Sequence, residues 1–191
     1  STKPLPAFTF DFRENAAGIW NLHAYQYNNE MSTWIVETTN EAWKKAGMEN
    51  ATEEETVSYV KELYKDLLGD YPVITNRSIW RNFPTIRCKT WVKDNLVILG
   101  DCAHTAHFSI GSGTKLAMED AIALFESCQI ESDPGAALKI YDGARRGDVE
   151  RIQHAAEVSL SWFEHVERYW GMDPLQFKFS LMSRSKAVTY D

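Results

Sequence analysis

The sequence predicts an α/β chain, in detail an α+β piece. An antiparallel or mixed sheet with one or two helices occupies residues 1–90, and mostly helical structure occupies 91–191. Three observations carry this. Residues 7–38 alternate with a period of two. Residues 52–67 place a capping box ahead of apolar positions at helical spacing. A short apolar run at 96–99 leads through glycines into further helical patterns.

In the alternating stretch, Phe8, Phe10 and Phe12 share one face. Trp20, Leu22 and Ala24 follow, and Thr33 and Ile35 stand opposite Trp34 and Val36. The breaks at 14–18 and 28–30 hold residues that favour turns, so an antiparallel meander is expected. Thr52 and Glu55 form the capping box, with Val57, Val60, Tyr64 and Leu67 repeating behind it and Gly69 as a left-handed stop, which predicts a helix over 53–68. Residues 79–92 read as extended, with Pro84 marking an edge or a crossing ribbon. Leu96–Leu99 has the length of a buried strand. Ala117, Ala121, Leu124 and Cys128 mark a face of a helix that begins near Gly113. Asp133 and Pro134 open another helix, with Gly143 and Gly147 as points where it can break. Gly171 to Pro174 is the last break, before a short final helix.

Composition narrows the classes. With 44% hydrophobic and 25% charged residues the chain reads as a packed protein. The formal charge of −7, with Lys and Arg scattered, disfavours nucleic acid and anionic membrane surfaces. No apolar stretch approaches the roughly 18 residues that span a bilayer. Three cysteines, Cys88, Cys102 and Cys128, show no disulfide framework, so a reducing, cytoplasmic setting is expected. The start lacks Met and enters strand-like sequence at once, which suggests a truncated or processed chain.

The chemistry concentrates in Gly100-Asp101-Cys102-Ala103-His104, then Gly111-Ser112-Gly113-Thr114-Lys115, then Glu119-Asp120-Ala121. Here a strand end delivers a carboxylate and a glycine-rich loop opens a helix. A carboxylate accepts hydrogen bonds from sugar-type hydroxyls, while free first-turn N–H groups favour negative charge at Gly113, Thr114 and Lys115. For either motif alone, a plain turn and a flexible loop is the simpler reading. Cys102 and His104 do not have the spacing of a zinc site, so no metal is expected. Ser109 and Ser112 lack the Gly-x-Ser-x-Gly setting of a hydrolase. Trp20, His23, Tyr25 and Trp34 either line a pocket for an aromatic ring or are core. Trp162, Phe163, Tyr169 and Trp170 are candidates for packing against a second copy in a homodimer, a following domain, or a missing half.

The order and spacing of Gly100, Asp101, Ala103, His104, Gly111, Gly113, Asp120 and Ala121 resemble the second flavin signature of the para-hydroxybenzoate hydroxylase family, the class A flavoprotein monooxygenases. Tyr141 and Arg145-Arg146 resemble that family's downstream residues. The resemblance covers about 80–155 well and 7–38 in general form. It implies a substrate-binding sheet followed by the C-terminal helical part of an FAD-binding domain. It implies FAD, held by Gly100, Asp101, Gly111, Ser112, Gly113, Thr114 and Lys115, with NAD(P)H as reductant and a small aromatic substrate. Asp101 would hold the ribityl chain, and the N–H groups of Thr114 and Lys115 would face the pyrimidine edge of the flavin.

His107 and Phe108 replace the family's usual Pro and are the candidate substrate contacts. His107 is also the one candidate catalytic side chain, although the chemistry requires no acid or base here. Residues 107–114 are similar to the branch acting on bulky substrates such as aryl-CoA thioesters, salicylyl-CoA 5-hydroxylase among them. No Gly-x-Gly-x-x-Gly occurs, nor the family's middle Asp-Gly. The chain is therefore expected to be a C-terminal half that lacks the N-terminal FAD-binding half and is inactive alone. Another flavin oxidoreductase of the fold, a halogenase or a reductase, and a non-catalytic flavin-binding or interaction module are the alternatives.

Overall fold

The computed structural model describes residues 1–185. It divides into two compact units, Ser1–Arg81 and a second that begins at Asn82.

The first unit is built on the expected meander. Strands β1 (Thr9–Asn15), β2 (Gly18–Gln26) and β3 (Ser32–Thr38) pair antiparallel, with Phe10 opposite His23 and His23 opposite Ile35. The side chain of Asn15 fixes the first turn by accepting from the N–H groups of Ala17 and Gly18 at 2.9 and 3.3 Å, and Asn28 does the same in the second for Glu30 and Met31, both at 2.8 Å. Because side chains alternate along a strand, Trp20, Leu22, Ala24, Trp34 and Val36 fall on one face. There Leu22 and Ala24 pack with Leu5 and Tyr64, flanked by Val60, Leu63 and Leu67. The opposite face carries Phe10, Phe12, His23, Tyr25 and Glu37. The four residues read as either pocket-lining or core therefore divide between the two faces: Trp20 and Trp34 are on the helix side, His23 and Tyr25 on the other.

Helix α1 (Asn40–Lys45) was not legible in the sequence. It spans under two turns, too few for a period to show, yet Thr39 caps it through Ala42 N–H at 3.2 Å. Helix α2 (Glu53–Leu63) carries the expected capping box, with Thr52 and Glu55 bonded reciprocally. The predicted single helix ends early: Tyr64 leaves helical geometry (φ −112°, ψ 22°), and α3 (Lys65–Leu68) follows as a separate turn. Tyr64 is fully buried, and the interruption is what seats its ring beneath the sheet.

In the second unit the stretch expected to be extended joins the fold through a single bridge, Arg87 opposite His104, and through a hairpin of β4 (Val92–Lys93) and β5 (Leu96–Val97). Gln153 secures the bridge by donating to the carbonyls of Ile86 and Thr105, both at 2.8 Å. The run 96–99 is strand only at Leu96–Val97, continued by Ile98 N–H donating to the Trp91 carbonyl at 2.9 Å; Val97, Ile98 and Leu99 pack partly buried against the core but Leu96 is 69% exposed, so it is not the fully buried strand that its composition predicts. After two 3-10 turns (Gly100–Cys102 and Phe108–Ile110) come α4 (Gly113–Ile130), α5 (Pro134–Glu164) and α6 (Pro174–Ser183). Helix α5 runs unbroken through Gly143 and Gly147, capped by Asp133 with Pro134 in its first turn as expected.

The buried face of α4 is one residue out from the expected one. Leu116, Asp120 and Ser127 turn inward, while Met118, Ile122 and Phe125 are 56–65% exposed. A carboxylate holds the central inward position, and a reading by hydrophobicity passes over it. The core gathers Trp91, Ala103, Leu116, Tyr141 and Val149. Trp162 and Phe163 are buried within this unit, where Trp162 stacks on Tyr169 at 5.0 Å and meets Phe177 edge-on at 5.5 Å. That packing is intramolecular. No helix among the described residues is long and apolar enough to cross a membrane.

Candidate cofactor site

The turn at Gly100 and the loop at Gly111 are held by buried polar groups. Asp120 is fully buried and is the hub. One of its oxygens accepts from Gly100 N–H at 2.9 Å and from His104 Nε2 at 2.7 Å, and the other accepts from Arg145 Nε at 2.9 Å. Arg145 also reaches Glu119 at 3.1 Å. Such a charge pair is tolerable in the interior because its remaining lone pairs and protons are also bonded. Burial works against the Arg145 guanidinium, but Asp120 and Glu119 outweigh it and hold the arginine above its ordinary range. Glu119, hydrogen-bonded by Lys115 and beside Arg145, is held below the usual carboxylate range. Tyr141 donates to the Ile98 carbonyl at 3.5 Å, and burial with Asp120 close by pushes its phenol up to about 12. Arg146 lies over the Trp91 ring at 4.7 Å and donates to the Lys89 carbonyl at 3.1 Å. His104 is thus bonded into this buried network.

Gly100 has to be glycine. Its φ of +59° is left-handed, and a Cβ there would stand 3.1 Å from Cβ of Ala117 on α4. The turn this creates leaves Asp101 exposed.

Gly111, with φ +64°, ends the second 3-10 turn, and Ser112 then begins α4 without a capping bond: its hydroxyl donates back to the Ile110 carbonyl at 3.3 Å. No acidic residue stands in the first turn, so the N–H groups of Gly113, Thr114 and Lys115 head a helix that no side chain of its own caps. A Cβ at Gly111 or Gly113 would meet nothing within 4 Å, so that surface is open. An exposed carboxylate for hydroxyls and an uncapped helix start for an anion together suit a cofactor with a polyol chain and an electron-accepting ring.

His107 and Phe108 lie in the loop that precedes it, their rings 4.4 Å apart, and Phe83 meets Phe108 edge-on at 5.3 Å. His107 is buried, with Nδ1 turned to Ser109. Sequence reading gave no role to Ser159 or Arg184, which bind this loop from α5 and the end of α6.

The sequence family described as "FAD binding domain" matches residues 9–150. The chain belongs to the class A flavoprotein monooxygenases. It is 41% identical over 196 residues to a salicyloyl-CoA 5-hydroxylase of Streptomyces, covering 97% of this chain and 38% of that protein. It is 38% identical over 144 residues to 3-hydroxy-4-methyl-anthranilyl-[aryl-carrier protein] 5-monooxygenase of Streptosporangium sibiricum, covering 75% of this chain and 37% of that one. Protodeoxyviolaceinate monooxygenase of Chromobacterium violaceum is 33% identical over 178 residues, covering 93% and 48%. The chain therefore spans less than half the length of each of these relatives. Among solved structures it shares its fold with pqsL of Pseudomonas aeruginosa, with TM-score 0.60 and 18% identity, covering 88% of this chain and 48% of that one.

Proposed function

We propose that the chain is the C-terminal half of an FAD-dependent monooxygenase that hydroxylates an aromatic ring, an aryl-coenzyme A thioester being the favoured form, with O2 and NAD(P)H. The observation that carries this is the uncapped, acid-free start of α4 behind the open Gly111–Gly113 loop, in a family described as FAD binding. Two relatives named for aromatic groups on coenzyme A or a carrier protein support the thioester. Membership of a longer polypeptide is supported by the share of each relative spanned, by the exposed Leu96 and by the apolar outer face of α4.

In this reading Asp101 accepts hydrogen bonds from the ribityl hydroxyls. The first-turn N–H groups of Gly113, Thr114 and Lys115 stabilise negative charge on the pyrimidine edge. Gly100, Gly111 and Ser112 shape the two turns, and His107 and Phe108 stand toward the substrate. Bound FAD, reduced by NAD(P)H, supplies the oxygen chemistry.

The test is FAD titration of the full-length protein by flavin fluorescence. Asp101→Ala should weaken binding about tenfold or more, the loss of a charge-assisted hydrogen bond. Unchanged affinity would remove Asp101 from the site. Incubation with salicyloyl-coenzyme A, O2 and NADH or NADPH should give a product one oxygen heavier, and nicotinamide oxidation without oxygenated product would count against the hydroxylase.

A further inference from the structure

The ring of Phe83 reaches the loop that precedes α4 and is 61% exposed there. A single exposed apolar side chain is ordinary on a protein surface, but this one is carried on a fixed ribbon. One residue on, the Pro84 carbonyl accepts from the Thr105 hydroxyl at 2.9 Å, and the same hydroxyl accepts from Ile86 N–H at 2.7 Å. Thr105 N–H returns to the Ile86 carbonyl at 3.1 Å, which Gln153 binds as well. Residues 84–86 are thereby stapled to Thr105, three residues ahead of Phe108.

Phe83 meets Phe108 edge-on, with ring centroids 5.3 Å and planes 62° apart. Phe108 opens the 3-10 turn that ends at Gly111, two residues before α4. An aromatic ring that is both exposed and fixed in place is suited to a flat apolar ligand group. Its backbone has little freedom left to lose when a ligand covers it, so the area buried appears as affinity. Aromatic rings pair in offset or edge-to-face arrangements and gain beyond their buried area, which an alkyl group of the same bulk does not.

We propose that Phe83 is a specificity-determining contact, its exposed ring packing against the aromatic ring of the substrate. The assignment rests on the flavin-site reading, in which the loop at Phe108 stands toward the substrate. Phe83 contributes apolar area and orientation and exchanges no proton. It makes the site select aryl over alkyl acyl groups on the same carrier.

The experiment is calorimetric titration of the full-length protein with salicyloyl-coenzyme A and with acetyl-coenzyme A, which differ in the acyl group alone. The wild type should prefer the salicyloyl thioester. Phe83→Ala should weaken that thioester about tenfold and leave the acetyl one nearly unchanged. Phe83→Tyr, which keeps the ring, should retain the preference. Phe83→Leu keeps apolar bulk without a ring, should lose most of the preference, and serves if Phe83→Ala does not fold. No aryl preference in the wild type, an equal loss for both thioesters, or no loss for either would overturn the proposal. FAD titration of the same samples separates the two readings. Weaker FAD binding in Phe83→Ala would set the ring against the cofactor and also overturn the proposal, whereas an aryl preference that depends on Phe83 in a protein that binds no FAD ends the cofactor reading alone.

Discussion

Asp120 accepts three hydrogen bonds from parts of the chain far apart in sequence, and its removal would leave the Arg145 guanidinium buried beside too few acceptors. Asp120→Ala is expected to cost about 3–5 kcal/mol, read as the loss of urea midpoint. Gly100→Ala forces a left-handed residue against Ala117, and an expected loss of about 1–3 kcal/mol should appear in the same measurement. Tyr141 gives a pH dependence whose sign follows from its raised value. The unfolded phenol ionises near its ordinary 10 and the folded one at about 12, so this contribution is intact below pH 10 and is lost as pH rises toward 12. Tyr141→Phe should flatten that alkaline decline. Gly100, Asp120 and Arg145 stood out in the sequence only through the resemblance to a family signature; that a buried Asp120 ties the other two together was not legible there. Ser159 and Arg184 were not legible either: they meet Ser109 across 50 and 75 residues, and no periodicity or motif connects them.

At the scale of elements, legibility followed length and the chemistry of the buried face. The meander and its faces followed from alternation alone, since each strand has one side toward α2. Helix α4 was legible in its start and not in its rotation, because its inward position 120 is charged and its outward positions 118, 122 and 125 are apolar. Thr52→Ala removes one half of the capping box from α2, whose own residues include none that is fully buried. The expected loss is about 1 kcal/mol. Hydrogen exchange should show it in Ser1–Arg81, and equal loss of protection in α4 and α5 would contradict a local effect.

For the molecule as a whole, the outer face of α4 gives a prediction about the longer polypeptide proposed above. Ile122→Lys or Phe125→Asp should leave the second unit folded and weaken its association with a separately expressed N-terminal half, as pull-down would read. Unimpaired association would place the junction elsewhere. Helix α5 meanwhile carries Arg145, which steadies the Gly100 turn, and Ser159, which steadies the loop before α4, on one continuous rod. Fourteen residues at 1.5 Å each set these two anchor points about 21 Å apart along its axis. The pitch of α5 therefore acts as a gauge between turn and loop. A single residue inserted between 147 and 158 would swing Ser159 about 100° around the axis and break that registration, whereas seven would bring it back to nearly the same side, two turns farther along.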